Sequence, residues 1–338
     1  MLRTILACGA VALVAASLVP TPALAQSVTL KIATFTPANA LMATDILQPW
    51  IDKIEKDAGG DLKFEKYYGG TLGRDPTQYL KLVQDGVSDI GNVVSHYTIG
   101  RFPDDDLFNL PNLFRNAEEA SRAYNRLIEK KLLRGYEDVH VLAVSTTGAA
   151  GIHTKPAIKG LADVKGLKLR TAGEGLSEAA RLLGAVGVPM AAPAVAENIS
   201  RGVVDGTMLD WVAIKLFRVQ EVTPYHLDVN LGVIPNAMMV NPKAYDKLSA
   251  KAKGAVQKHS GDAFAKVTGK YNGDAEVANR EDLAKSGKHT VIKLAAAEDA
   301  QFQKLLLPMH EDWKKSRPNG AKLYAELQQI LTDIRAGK

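Results

Sequence analysis

The chain has a single cysteine among 338 residues and few aromatics, with 8 Phe, 3 Trp and 10 Tyr. It has no long apolar run beyond its opening segment. Each shortage excludes something. Cys8 lies inside that segment, MLRTILACGAVALVAASLVPTPALAQ, where Arg3 supplies a positive start and Ile5 to Val19 is apolar. Pro20 and Pro22 interrupt the run, and Ala23-Leu24-Ala25 is a small-residue cleavage signature. A spanning helix needs roughly 20 apolar residues, more than this run offers. The seven residues before Cys8 leave no room for the apolar region of a lipoprotein leader. Residues 1–25 therefore read as a secretory signal peptide cut after Ala25, and the protein is expected in the periplasm.

The cysteine leaves with that segment, which excludes disulfides and cysteine-based metal or nucleophile chemistry from the mature chain. Removing 25 residues from 338 leaves 313, enough for one large or two medium domains. No later stretch approaches the ~18 unbroken apolar residues of a membrane span, so the mature protein is not itself membrane-spanning. Loss of Arg3 takes Lys plus Arg from 42 to 41 against 37 Asp plus Glu, a net charge of +4. The charges are interspersed. No basic stripe points to nucleic acid, and no such partner is expected. Catalytic signatures are also missing: there is no G-x-S-x-G, H-E-x-x-H or P-loop, and the seven histidines show no ligand spacing. Gly173-Glu174-Gly175 opens a helix without the rest of a dinucleotide fingerprint. No metal and no cofactor are expected.

What is present is alternation. Val28–Ile32 reads as a strand, and Leu47, Trp50, Ile51 and Ile54 follow helical spacing up to Gly59-Gly60, with Pro49 implying a kink. Leu62–Phe64 alternates again. Asp75-Pro76-Thr77-Gln78 has the form of an N-cap, a first-turn proline and a capping partner. SDIGNVV (88–94) reads as a buried strand. Asn116 and Glu119 cap a helix that Gly135 is expected to stop, and HVLAVST (140–146) is an apolar strand. KLRT, a helix over 175–185, MAAP (190–193), a helix over 194–201 and VVDGTM continue the pattern. Strands alternating with helices predict an α/β fold with parallel sheets. From Pro242 helices dominate, broken by HTVIKL (289–294). The expectation is two α/β lobes with a helical C-terminal region. No Gly/Ser/Pro linker separates them, so the chain should cross between lobes more than once.

Bilobed α/β proteins hold ligands between lobes, at the carboxyl ends of strands. Arg170 ends such a strand in DVKGLKLRTAG (163–173). Its planar guanidinium offers two parallel N–H groups that match a carboxylate, which a lysine does not. The same arginine could instead pair structurally with Asp163 or Glu174, and spacing alone leaves the two readings even.

Six segments together resemble a known family. They are YYGGTLGRD (67–75), LVQDGVSDIG (82–91), GRFPDDDLFNLPNLF (100–114), KPAIKGLADVKGLKLRTAG (155–173), ISRGVVDGTM (199–208) and MMVN (238–241). In this order they are similar to solute-binding proteins of the tripartite ATP-independent periplasmic (TRAP) transporters, the C4-dicarboxylate-binding type. The resemblance covers about residues 28–335. It implies a two-lobed periplasmic binding fold with crossing strands and a long inter-lobe helix. It also implies closure on an anionic solute, delivery to the membrane subunits of a sodium-driven permease, and no catalysis. Lobe I is expected to comprise 26–150 with about 238–280, and lobe II 151–237 with about 281–338.

Within that resemblance Arg170 takes the place of the carboxylate-clamping arginine. A second arginine that many members carry upstream is replaced by Gly151-Ile152-His153-Thr154, making His153 a candidate donor. The segment after VVDG reads Met208-Leu209-Asp210-Trp211, which puts Asp210 and Trp211 near the expected pocket. Phe35 falls on the first ligand loop. Tyr97, His96 and Arg74 are second-rank candidates. Fewer cations and more aromatics favour a monocarboxylate with an apolar or aromatic body, such as a 2-oxo or 2-hydroxy acid. The alternatives are a C4-dicarboxylate ligand, a binding protein of an ATP-driven importer, or a secreted hydrolase or isomerase using Asp210 beside His153. A sensor role toward a membrane kinase is a further reading.

Overall fold

The computed structural model describes residues 27–338. The expected signal peptide lies outside the described residues. Along the chain the strands are β1 (Val28–Ala33), β2 (Leu62–Tyr67), β3 (Ile90–Val94), β4 (His140–Thr146), β5 (Gly151–Thr154) and β6 (Lys168–Thr171). They continue as β7 (Val186–Pro189), β8 (Gly206–Leu209), β9 (Tyr225–Asp228), β10 (Pro235–Val240) and β11 (Thr290–Lys293). Two sheets result, ordered β2-β1-β3-β10-β4 and β11-β9-β5-β8-β6-β7. This is the expected two-sheet α/β architecture.

Helix-linked neighbours run parallel, as expected: β1 with β2 and β3, and β6 with β7 and β8. One strand in each sheet departs from that expectation. β10 is antiparallel to β3 and β4, and β5 is antiparallel to β8 and β9. The reason is connectivity. β5 and β10 each follow a direct extended crossing from the other sheet, with no helix to return the chain in the same sense. The two crossings, 147–150 and 229–234, bond to each other through Thr147 N–H to Ile234 O (3.0 Å), Ala150 N–H to Gly232 O (2.8 Å) and Leu231 N–H to Ala150 O (3.0 Å).

Local signals behave largely as read. Asp75 accepts from Thr77 N–H to open a tight turn, and Asn116 accepts from Glu119 N–H at the start of the helix Ala117–Glu129. Pro49 falls one residue into the α-helix Gln48–Ala58, just after the wider π-helical turns over Met42–Leu47 that run straight into it. Gly135 does not end its helix. The helix runs to Glu129 with Lys130 still right-handed, and Lys131 takes a left-handed φ of 53°. The strand expected at MAAP sits earlier, at Val186–Pro189, because Pro193 opens a short turn over 192–194.

The helix Gly261–Lys285, 25 residues long, spans both sheets. Its first half packs on the helix Ala117–Glu129 and on β4, and its second half on the helix Trp211–Leu216 and β11. Gly269 permits the close crossing, since a Cβ there would stand 2.5 Å from Glu118 Cα. The last helix, Gly320–Arg335, buries Leu323, Leu327, Ile330 and Leu331 along one face. It packs on Ala117–Glu129, where Arg335 forks onto Glu119 at 2.9 and 2.7 Å. The sequence-based assignment of 281–338 wholly to the second lobe does not match these contacts. An amphipathic stripe shows that a face is buried without showing against which neighbour.

Gly232 sits in the second crossing with φ +90°, and a Cβ would lie 2.6 Å from Phe108 O. Val233 N–H bonds that same carbonyl at 2.8 Å, so the backbone cannot back away. Gly232→Ala is expected to cost about 3 kcal/mol or more. In a thermal melt the midpoint should fall by roughly 5 °C or more; an unchanged midpoint contradicts the constraint.

Candidate functional site

A cavity of about 140 Å³ lies between the two sheets. From the first sheet it receives Asn92 of β3, Ser145 of β4, Asn236 of β10, and Phe35 and Tyr97 from the segments that follow β1 and β3. From the second it receives Arg170 of β6 and Leu209 and Asp210 at the end of β8. The long helix adds Phe264, Thr268 and Asn272, spaced four apart and therefore on one face. Phe217 closes the wall by stacking on Phe35 across the gap, with ring centroids 6.4 Å apart.

Arg170 is fully buried. Its register in β6, opposite Val188 of β7 and Thr207 of β8, places it mid-sheet. Nε donates to Met190 O (2.8 Å), Nη1 to Met208 O (3.3 Å) and Nη2 to Tyr97 Oη (3.3 Å). A guanidinium has five N–H donors. Three are spent, leaving one on each terminal nitrogen, the pair that a carboxylate takes. Among the described residues no carboxylate forms a salt bridge to Arg170, and neither Asp163 nor Glu174 is its partner. Asp163 instead accepts from Lys159 N–H. Tyr97 Oη also accepts from Ala192 N–H (2.9 Å), so both contacts to it are donations and its own proton is free to give.

Asp210 plays two parts. Oδ1 accepts from Val212 N–H (3.1 Å) and Ala213 N–H (2.9 Å), capping the helix Trp211–Leu216. Oδ2 has no partner. Burial pushes this carboxyl up to about 6, against the pull of the backbone N–H groups and Arg170.

Four of the eight expected residues thus meet at the cavity: Arg170, Tyr97, Phe35 and Asp210. Four do not. Trp211 turns into the core with Val195, Ile199 and Ile214, since the residue after an N-cap starts a helix facing away from the capping side chain. His153 lies behind Leu209, with Nε2 2.8 Å from Leu209 O and Nδ1 2.8 Å from His226 Nδ1. A carbonyl only accepts, so His153 Nε2 carries the proton and its Nδ1 accepts from His226. His226 Nε2 in turn lies 3.0 Å from His289 Nδ1. Burial pushes His153 down to about 4, which keeps the imidazole neutral near pH 7. With its ring nitrogens engaged and no face on the cavity, it cannot form the acid–base pair with Asp210 that a hydrolase reading requires. His96 opens instead onto a separate outer groove of about 790 Å³, with Nε2 3.4 Å from Asp106 Oδ1. Arg74 is exposed on a loop away from the cavity.

Sequence reading missed Phe217, Asn92, Asn236, Thr268 and Asn272. The 264–268–272 spacing was the available signal. One turn further along the same helix face, Glu276 presses on the first crossing, where a Cβ on Gly148 would stand 2.0 Å from its Oε2. Burial, with Asp210 nearby, pushes Glu276 up to about 8 against the Ala149 N–H and Arg280, while Asp228 adds to the rise. A carboxyl whose folded value lies above its ordinary one stabilises the fold below that ordinary value and loses the contribution as pH rises through the folded one. Between pH 5 and 9 the wild type should therefore lose on the order of 3 kcal/mol relative to Glu276→Gln. Parallel denaturant melts check this, and identical pH slopes contradict it.

Comparison with known proteins places these features. The family model for bacterial extracellular solute-binding proteins, family 7, matches residues 32–316. A TRAP solute-binding protein from a marine metagenome, specific for aromatic acid ligands and crystallised with 3-hydroxybenzoate, is 31% identical with a TM-score of 0.84, over 91% of this chain and 98% of that one. One from Rhodoferax ferrireducens T118, in complex with copurified benzoate, is 29% identical with a TM-score of 0.84 over the same shares. The C4-dicarboxylate-binding periplasmic protein DctP of Rhodobacter capsulatus is 27% identical over 301 residues, 86% of this chain and 88% of that protein. This chain belongs to family 7 of the bacterial extracellular solute-binding proteins, the receptors of TRAP transporters rather than enzymes.

Proposed function

We propose that the protein captures a small monocarboxylate with a single aromatic or comparably compact apolar body between two lobes. It passes the acid to the membrane subunits of a TRAP permease from the periplasm, after cleavage behind Ala25. The first lobe is built on β1–β4 with β10 and the second on β5–β9 with β11. The observation that carries this reading is Arg170: a fully buried cation without a salt bridge among the described residues, with two N–H groups to spare. Holding such a charge out of water is costly unless an anion completes it.

Size and lining narrow the ligand. A cavity of about 150 Å³ in another protein core accommodates benzene, and this one is about 140 Å³. Arg170 and Tyr97 line it together with the stacked rings of Phe35 and Phe217. A C4-dicarboxylate fits less well. Arg170 is the sole cation lining the cavity among the described residues, and Asp210 would repel a second carboxylate. Micromolar affinity needs about 8 kcal/mol. Charge-assisted hydrogen bonds contribute roughly 1.5–3 kcal/mol each, and ring burial contributes roughly 25 cal/mol per Å² before ordering costs.

In a thermal-shift titration with benzoate, the wild type should be stabilised by about 2.7 kcal/mol at a hundredfold excess over its dissociation constant. Arg170→Ala should melt cooperatively and show no shift. Tyr97→Phe, which loses one donor but keeps the ring, should bind about tenfold more weakly. A ligand-induced shift retained by Arg170→Ala would refute the assignment.

A further inference from the structure

The carboxylate clamp leaves two buried polar atoms, on residues that line the cavity, unexplained. Asp210 Oδ2 and Thr268 Oγ1 are both without a hydrogen-bond partner. Both residues are essentially buried, at 2% and 1% exposure, and both line the same cavity. They come from different elements, the end of β8 and the middle of the long helix. Neither is idle by necessity. Oδ1 of the same carboxyl is engaged at the helix cap. A helical threonine ordinarily bonds the carbonyl four residues back, here Phe264 O, and Thr268 does not. Buried polar atoms of folded proteins are nearly always partnered, so two orphans in one ligand cavity point to a group that arrives with the ligand.

We propose that Asp210 Oδ2 and Thr268 Oγ1 form a second polar subsite, which selects acids carrying a hydroxyl group in addition to the carboxylate. This deepens the function proposed above and rests on it. The chemistry chooses among substituents. Asp210 Oδ2 wants a donor, and Thr268 Oγ1–H can give a hydrogen bond to an acceptor. A hydroxyl is both at once. A second carboxylate would meet the charge of Asp210, an ether has no proton to donate, and an ammonium has no lone pair for Thr268. The subsite therefore separates hydroxylated acids from their unsubstituted parents, while Arg170 and Tyr97 hold the group that all of them share.

The position of the hydroxyl on the ring is a matter for the test. Calorimetric titration of the wild-type protein with benzoate, with 2-, 3- and 4-hydroxybenzoate, and with the corresponding methoxybenzoates needs no variant. At least one hydroxybenzoate should bind about tenfold more tightly than benzoate, and its methoxy counterpart no more tightly than benzoate. Two variants then locate the gain. Asp210→Asn keeps an oxygen for the helix cap and puts a donor where Oδ2 was. Thr268→Val keeps the shape and removes the hydroxyl. In each, shown folded by its melt, the ratio of hydroxybenzoate to benzoate affinity should fall to within about threefold of one. If benzoate binds and no hydroxybenzoate improves on it, the subsite is wrong and the carboxylate receptor stands. If the preference survives in both variants, the hydroxyl is held elsewhere and the subsite is again wrong. If neither benzoate nor any hydroxybenzoate binds, the receptor reading falls and takes the subsite with it.

Discussion

Burying an arginine without an acid to pair it is unfavourable, and in the receptor proposed here a ligand anion completes the pairing that the protein leaves open. Met190 O, Met208 O and Tyr97 Oη take three of the five donors of Arg170. The carbonyls carry only partial charge, so they orient the guanidinium without neutralising it. Asp210 is near enough for Arg170 to influence its proton affinity but forms no ion pair with it. One of its oxygens, Oδ1, is committed to a helix cap.

The fold supplies the enclosure. Two direct crossings between the sheets hydrogen-bond to each other, and a 25-residue helix lies along both sheets. Phe35 and Phe217 meet from opposite sides. The cavity is therefore walled by segments drawn from both sheets, the long helix and the loops between them. Gly232 and Gly148 stand one in each crossing, Gly232 against backbone that leaves no room for a side chain and Gly148 against the end of the Glu276 side chain.

The sequence was most legible where function sits at strand ends. Arg170 was read from its place at the end of a strand, whereas Phe35, Tyr97 and Asp210 came with the family resemblance; each follows or closes a strand at the cavity. Legibility failed where burial has two sides. His153 and Trp211 are as buried as any ligand-contacting residue, yet they form the layer behind the wall, and no hydrophobic pattern tells one buried face from the other. The helix residues Thr268 and Asn272 were hidden for a different reason. They reach the site from almost a hundred residues beyond Arg170, and their four-residue spacing means little until that helix is known to cross both sheets. The antiparallel strands β5 and β10 went unread because alternation of strands and helices is silent about a strand that enters a sheet directly from another one.

The most direct measurement is a crystal structure of the wild-type protein grown with benzoate. The account predicts lobes closed around one molecule, its two carboxylate oxygens each about 2.8 Å from a terminal nitrogen of Arg170, and the Tyr97 hydroxyl donating to one of them. A ligand bound with its carboxylate turned away from Arg170, or an Arg170 found paired with a protein carboxylate, would contradict it.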